Sequence, residues 1–202
     1  MGGMHELRNI TLGVTGASGS VYAVEMLRAL ESDERVGRVN LVVSESALRV
    51  FAEEMKVSGR NGLVEKLLGA ASTKIRQLPE ADIGASIASG SYRTDGMAVL
   101  PCSMGTLAGI ANGMASSLIE RAADVCLKER RMLVLCVRET PLNRIHLRNM
   151  MLAAEAGATI FPVIPTLYNL PRDTAEMAKQ FVARVLAHMG LEQPGAYVWQ
   201  AD

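Results

Sequence analysis

Ile10-Thr11-Leu12-Gly13-Val14-Thr15-Gly16-Ala17-Ser18-Gly19-Ser20-Val21 is the stretch that decides the fold. Ile10 to Thr15 is apolar enough for a short buried strand. Gly13, Gly16 and Gly19 then recur at three-residue spacing, and an apolar helical pattern starts at Val21 and runs through Val24, Leu27, Ala29 and Leu30. Strand, glycine turn, helix opens a βαβ unit. Val39 to Val43 supplies the next strand, ended by Ser44, and Ser46 to Met55 suits the helix after it. Strands joined through a helix pair in parallel.

The same alternation continues outward. Met97 to Leu100 reads as a buried strand stopped by Pro101, followed by helices over Thr106 to Met114 and Leu118 to Lys128. Met132 to Val137 is a strand, and Asn143 to Ala156 a helix introduced by Pro141. Thr159 to Ile164 is a strand stopped by Pro165, and Thr174 to Met189 a last helix capped by Gly190. Ser58 to Ser91 is less regular, with a short helix near Leu63 to Leu68 and a minor strand near Ile75. There is no repeat, low-complexity tract or linker. The expectation is one α/β domain over residues 1–202, a doubly wound Rossmann/flavodoxin-like three-layer sandwich with a mostly parallel sheet.

Composition narrows the function classes. The chain has 202 residues, zero formal net charge and 4% aromatic residues. A neutral chain lacks the basic bias of nucleic-acid or membrane-surface proteins, and few aromatics argue against base stacking. No apolar run reaches transmembrane length, and the polar stretch from Met1 to Asn9 is no secretory signal. Cys102, Cys126 and Cys136 are odd in number and lack metal-ligand spacing; two of them lie in apolar runs and read as buried thiols, and a reducing, cytoplasmic compartment is the expectation. His5, His146 and His188 have no ligand spacing either, so a metal is disfavoured.

In open α/β sheets ligands bind beyond the carboxyl ends of the strands. Those ends deliver Thr15 to Gly19, Ser44, Cys102 to Thr106, Arg138 with Glu139, and Pro165 to Tyr168. Small, hydroxyl and cationic residues on one rim suit an anionic cofactor. The glycine turn alone could be a tight turn, and its spacing is not G-x-G-x-x-G. Ser44 stands where an acid would hold an adenosine ribose, which favours a mononucleotide over NAD. Ser103 and Thr106 precede a helix whose amides could meet a phosphate, although capping alone would explain them.

Glu120-Arg121-Ala122-Ala123-Asp124, Lys128-Glu129-Arg130-Arg131 and Arg138-Glu139-Thr140-Pro141 concentrate charge in a neutral chain. Arg121 and Lys128 share a helix face, and with Arg138 from a strand end they could converge on one phosphate. The competing reading is a solvated helix laced with ion pairs. Glu139 is a candidate general acid/base, or an ion-pair partner that orients Arg138.

Taken together, Thr15-Gly16-Ala17-Ser18-Gly19, Pro101-Cys102-Ser103-Met104-Gly105-Thr106-Leu107, Leu118 to Asp124, Leu127 to Arg131 and Arg138 to Pro141 closely resemble UbiX-type flavin prenyltransferases of the Pad-type flavoprotein family. Ile145-His146-Leu147, Asn149-Met150 and the Tyr168 segment extend the match, which covers roughly residues 10 to 190 and is weakest between 55 and 88. The resemblance implies a metal-independent, dodecameric enzyme that joins the dimethylallyl group of dimethylallyl monophosphate to N5 and C6 of reduced FMN. The prenylated FMN would serve a partner UbiD-type decarboxylase.

By the family's pattern, Gly16, Ala17, Ser18, Ser44, Ser103, Met104, Gly105, Thr106 and Arg138 would bind FMN. Tyr168 and Arg184 would bind the dimethylallyl phosphate, with Ser89, Arg121, Lys128 and Glu139 completing its pocket. The family's acid near the flavin maps to Glu54, with Glu53 one residue away. Glu139, Lys128, Arg121, Ser18 and Glu54 form the implied catalytic set. Asn169 stands where the family usually has His, Ala115-Ser116-Ser117 replaces a more polar pattern and Met132 replaces a common Pro; Asn169 and Leu170 leave monophosphate and pyrophosphate donors both open. Two other readings compete: a non-catalytic FMN-binding subunit of an aromatic acid decarboxylase system, and a flavin-dependent cysteine-type decarboxylase. The latter needs a histidine near the first helix and an Asn-rich motif that are not found. Trp199 reads as a hydrophobic anchor for the C-terminus.

Overall fold

The computed structural model describes residues 7–197. Six strands, β1 (Arg8–Val14), β2 (Val36–Val43), β3 (Ile75–Leu78), β4 (Gly96–Cys102), β5 (Met132–Val137) and β6 (Thr159–Ile160), form one sheet in the order β3-β2-β1-β4-β5-β6. Every neighbouring pair is parallel. The helices are α1 (Ser20–Ser32), α2 (Glu45–Met55), α3 (Leu63–Leu68), α4 (Met104–Ala111), α5 (Leu118–Lys128), α6 (Arg144–Glu155) and α7 (Thr174–His188). His5 and Trp199 lie outside the described residues.

The sheet separates two cores. Leu27 of α1, Leu63 of α3 and Val185 of α7 pack on one side. Leu107 of α4 and Ile119 and Ala123 of α5 pack on the other. β5 alternates between them: Val134 and Cys136 face the α1/α7 side, Leu133, Leu135 and Val137 the α4/α5 side. This period of two, with both faces covered, is why parallel strands read as continuous apolar runs.

Among the boundaries that differ from the sequence reading, those of three elements matter most. β4 does not stop at Pro101 but reaches Cys102. Pro101 lacks an N–H, yet its carbonyl accepts from Thr15 N (3.2 Å) and Thr15 Oγ1 (2.8 Å), which holds the strand end. The helix expected over Thr106 to Met114 starts at Met104, with Ser103 as its N-cap, and ends at Ala111, ahead of Gly113 at φ 66. β6 is two residues long rather than six. Phe161 N and Val163 N still donate to Leu135 O and Val137 O, each at 2.9 Å, but Pro162 between them has no N–H and the regular ladder ends. No helix among the described residues is long and apolar enough to cross a membrane.

Candidate active site

The strand order reverses direction between β1 and β4, and the crevice outside their carboxyl ends is where such sheets bind ligands. Thr15, buried at the end of β1, staples the two sides: Oγ1 donates to Pro101 O and accepts from Ser103 N, both at 2.8 Å. Ser103 then caps α4, accepting from Thr106 N at 3.4 Å, with its hydroxyl 3.1 Å from Thr106 Oγ1. Ser44 plays the same part at α2, accepting from Ala47 N at 3.0 Å, and its hydroxyl lies 3.0 Å from Ser46 Oγ. Gly16 is required there, because a Cβ on it would sit 2.3 Å from Ser46 Oγ.

A cavity of about 390 Å³ opens next to this rim, lined by Ser18, Tyr22, Glu54, Arg138, Val163 and Thr174 among others. Arg138 follows Val134 and Cys136 in parity and so reaches the α1/α7 side. Its charge acts on the Tyr22 phenol, although burial dominates and raises that phenol's pKa. Glu54, not Glu53, reaches the site. From α2 it caps α1, accepting Ser20 N at 2.7 Å and Gly19 N at 3.1 Å. Burial alone would raise its carboxyl, but hydrogen bonds from Ser18, Ser20 and Gly19 outweigh it and hold the pKa below the usual value. Glu53 is exposed, and its carbonyl accepts from Lys56 Nζ at 3.1 Å.

The remaining candidates form two separate groups. Ser89, Arg121 and Lys128 lie on the α4/α5 side. Arg121 Nε donates to Ala88 O (3.1 Å), and Lys128 Nζ lies 2.6 Å from where a Cβ on Gly90 would be. Arg121 pairs with Asp124 (2.6 Å) and Lys128 with Glu129 (2.5 Å). Tyr168 and Arg184 line a cavity of about 420 Å³ with Thr166, Gln180 and Tyr197 on the outer side of α7. Arg184 also sits over the Phe161 ring, 5.9 Å from its centroid. Glu139 is exposed beside Arg138, one carboxylate oxygen accepting from Thr140 N at 2.9 Å.

The expected convergence of Arg121, Lys128 and Arg138 on one anion therefore fails within a single chain. Lys128 lies just before β5 and Arg138 just after it, so a six-residue strand of about 20 Å separates them. The two also flank opposite faces of the sheet. In one protomer the solvated, ion-paired reading describes Arg121 and Lys128.

The rim suits a flavin mononucleotide. Gly105, in the first turn of α4, faces open space: an added Cβ would meet no atom within 4 Å. That turn holds no acidic residue, and Ser103 and Thr106 offer hydroxyls beside it. Gly19 N and Ser20 N at the start of α1, by contrast, already donate to Glu54. The start of α4 is the more open of the two to an anion. Ser46 and Tyr22 lie at this rim although sequence reasoning did not select them, whereas Thr15 was placed there as the end of the first strand. Among the described residues no three His, Cys, Asp or Glu side chains gather as a metal site.

A family model described as Flavoprotein matches residues 2–186. The flavin prenyltransferase UbiX of Deinococcus radiodurans is 44% identical over 193 residues, covering 96% of this chain and 94% of that protein. The crystal structure of AnUbiX (PadA1) in complex with FMN and dimethylallyl pyrophosphate superposes with a TM-score of 0.86 at 38% identity, covering 96% and 98% of the two chains. A dodecameric FMN-dependent UbiX-like decarboxylase from Escherichia coli O157:H7 gives 0.85 at 42% identity, covering 96% and 100%. The chain belongs to the flavoprotein family and, within it, to the UbiX-type flavin prenyltransferases.

Proposed function

We propose that this chain, as one cytoplasmic domain, transfers the dimethylallyl group of dimethylallyl monophosphate to N5 and C6 of reduced FMN. The product is prenylated FMN for a UbiD-type decarboxylase. The observation that carries this reading is the division of labour on one chain. An uncharged helix N-terminus on the rim suits the flavin phosphate, and two further cationic groups remain for a second phosphate.

Reduced FMN, when bound, supplies the two nucleophilic positions. Ser103, Thr106 and the α4 amides hold its phosphate, and Gly16 keeps the rim open beside Ser46. Arg121, Lys128 and Arg184, with Ser89 and Tyr168, hold the donor's phosphate, where positive charge stabilises it as the allylic C–O bond breaks. For the second bond the donor's double bond would take up a proton to give a tertiary cation, and Glu139 would accept the proton lost from C6 as that carbon bonds to the cation. Glu54 stays ionised at neutral pH and fixes the start of α1 against the flavin side.

Arg121 and Lys128 on α5 and Arg184 on α7 lie on opposite faces of the sheet, so one chain does not bring them to a shared phosphate. The active assembly is therefore a homo-oligomer, a dodecamer by the relative's example, in which Ser89, Arg121 and Lys128 of one copy meet the rim of another. Anaerobic incubation with reduced FMN and dimethylallyl monophosphate, followed by mass spectrometry of the released flavin, tests the reaction. A flavin heavier by one prenyl unit is the expected result. Unmodified FMN recovered from protein that had bound it would overturn the reading and leave an FMN-binding subunit.

A further inference from the structure

The chain after α7 is tied down at two points. Near its start, Gln193 Nε2 donates to Asp33 Oδ2 and to Leu191 O, each at 2.9 Å, and Arg35 Nη2 donates to Glu192 O at 2.8 Å. Asp33 and Arg35 pair at 2.7 Å, so this anchor is itself braced. Farther on, Tyr197 N donates to Gln180 Oε1 at 3.1 Å. Gln180 lies one helical turn before Arg184, on the same face of α7.

Between these ties the backbone delivers the Tyr197 ring to Tyr168. The two rings stack with centroids 6.4 Å apart and planes 16° apart. Tyr168 is 70% exposed and sits in a segment without regular structure, so neither helix nor strand fixes its phenol. The stacked Tyr197 ring, tied by its backbone N–H to the Gln180 side chain, restricts the rotamers of Tyr168.

We propose that Tyr197, held by Gln180, is a positioning residue that keeps the Tyr168 phenol beside Arg184 for the phosphate of the prenyl donor. This rests on the reading of Tyr168 and Arg184 as donor-binding residues. Tyr197 itself need not touch the donor. It acts through the ring face, which Tyr197→Phe retains. The pair also walls the cavity of about 420 Å³ with two aromatic faces, which suits a short branched hydrocarbon attached to a phosphate.

The test is calorimetric titration of dimethylallyl monophosphate into the FMN-loaded protein for wild type, Tyr197→Ala, Tyr197→Phe and Gln180→Leu. FMN affinity is measured in parallel as a control for folding and for the rim. Tyr197→Ala should weaken donor binding roughly fivefold, the value of one aromatic stack, and Gln180→Leu should weaken it less. Tyr197→Phe should bind the donor as wild type does, and FMN affinity should not change in any variant. Unchanged donor affinity in Tyr197→Ala, or equal losses in the Ala and Phe variants, would overturn the proposal. So would absence of donor binding by wild type. Wild type that binds the donor but leaves FMN unmodified would sink the transferase reading alone, and the comparison of affinities would still decide the role of Tyr197.

Discussion

Glu54 of α2 holds the first turn of α1 by accepting the Ser20 N–H at 2.7 Å. The helix has Gly19 at its N-cap, which offers no side chain, so the cap is supplied from another element. Glu54→Ala should cost about 1 kcal/mol, the usual scale for a lost cap, and Glu54→Gln, which keeps an acceptor oxygen but not the charge, should cost less. The carboxyl's pKa is lowered in the folded state. Its stabilisation is therefore present above the ordinary carboxylate range and lost as pH falls through the lowered value. Thermal melts between neutral pH and about pH 3 should show a steeper acid loss for wild type than for Glu54→Gln. Parallel curves would refute this.

Gly16→Ala should damage the rim without unfolding the protein. The new methyl would meet Ser46 Oγ at 2.3 Å and Ser46 Cβ at 2.4 Å, while the nearest backbone atom is 3.3 Å away. A cost of about 1–3 kcal/mol is the scale of such overpacking. Weaker FMN binding by fluorescence titration is the readout, and Gly16→Ala combined with Ser46→Gly should recover most of it. A double variant as impaired as the single one would place the damage elsewhere.

Arg138 and Lys128 flank the two ends of β5. If copies share sites, an inactive Lys128→Ala protein and an inactive Arg138→Ala protein should complement each other. Each alone should lose about 10²–10³ in kcat, the scale for one lost charge stabiliser. Mixed oligomers formed by co-expression contain some sites with both native residues, and should regain prenylation. Mixed oligomers as inactive as either parent would mean that the two residues are needed on one chain.

Asp33 anchors the segment after α7 through Arg35 and Gln193. Hydrogen bonding from Arg35, with smaller help from Gln193, lowers its pKa to about 2. The linked stability is present above the unfolded carboxylate pKa and disappears as pH falls toward that value. Asp33→Asn should cost about 1 kcal/mol near neutral pH, discounted because Arg35 is half exposed. Urea denaturation at pH 6 and near pH 2 should show the difference shrinking at the lower pH. A constant difference would argue against the ionic anchor.

What could be read in advance follows from where the information sits along the chain. The β1–α1 unit was legible because the apolar period changes from continuous to helical across Thr15 to Val21. β4 was cut short because a proline removes a donor, and sequence does not reveal that Thr15 would use its carbonyl. Counting from Ser44 pointed to Glu54 with Glu53 one residue away, and geometry separates them, because a helix turns about 100° between the two and only one can face α1. The gathering of Arg121, Lys128 and Arg138 misled because spacing on a helix says nothing of which side of the sheet it covers. Parity along β5 held the answer: Val134, Cys136 and Arg138 share one side, and α5 packs on the other.

The two-residue β6, with Pro162 and Pro165 behind it, leaves the sheet with a blunt margin. A neighbouring molecule finds too few adjacent donors there to add a strand. Growth by strand addition has no natural stopping point and leads toward fibres. At this edge Pro162 disfavours strand addition and leaves association to helix and loop surfaces, which can be arranged into finite, symmetric shells.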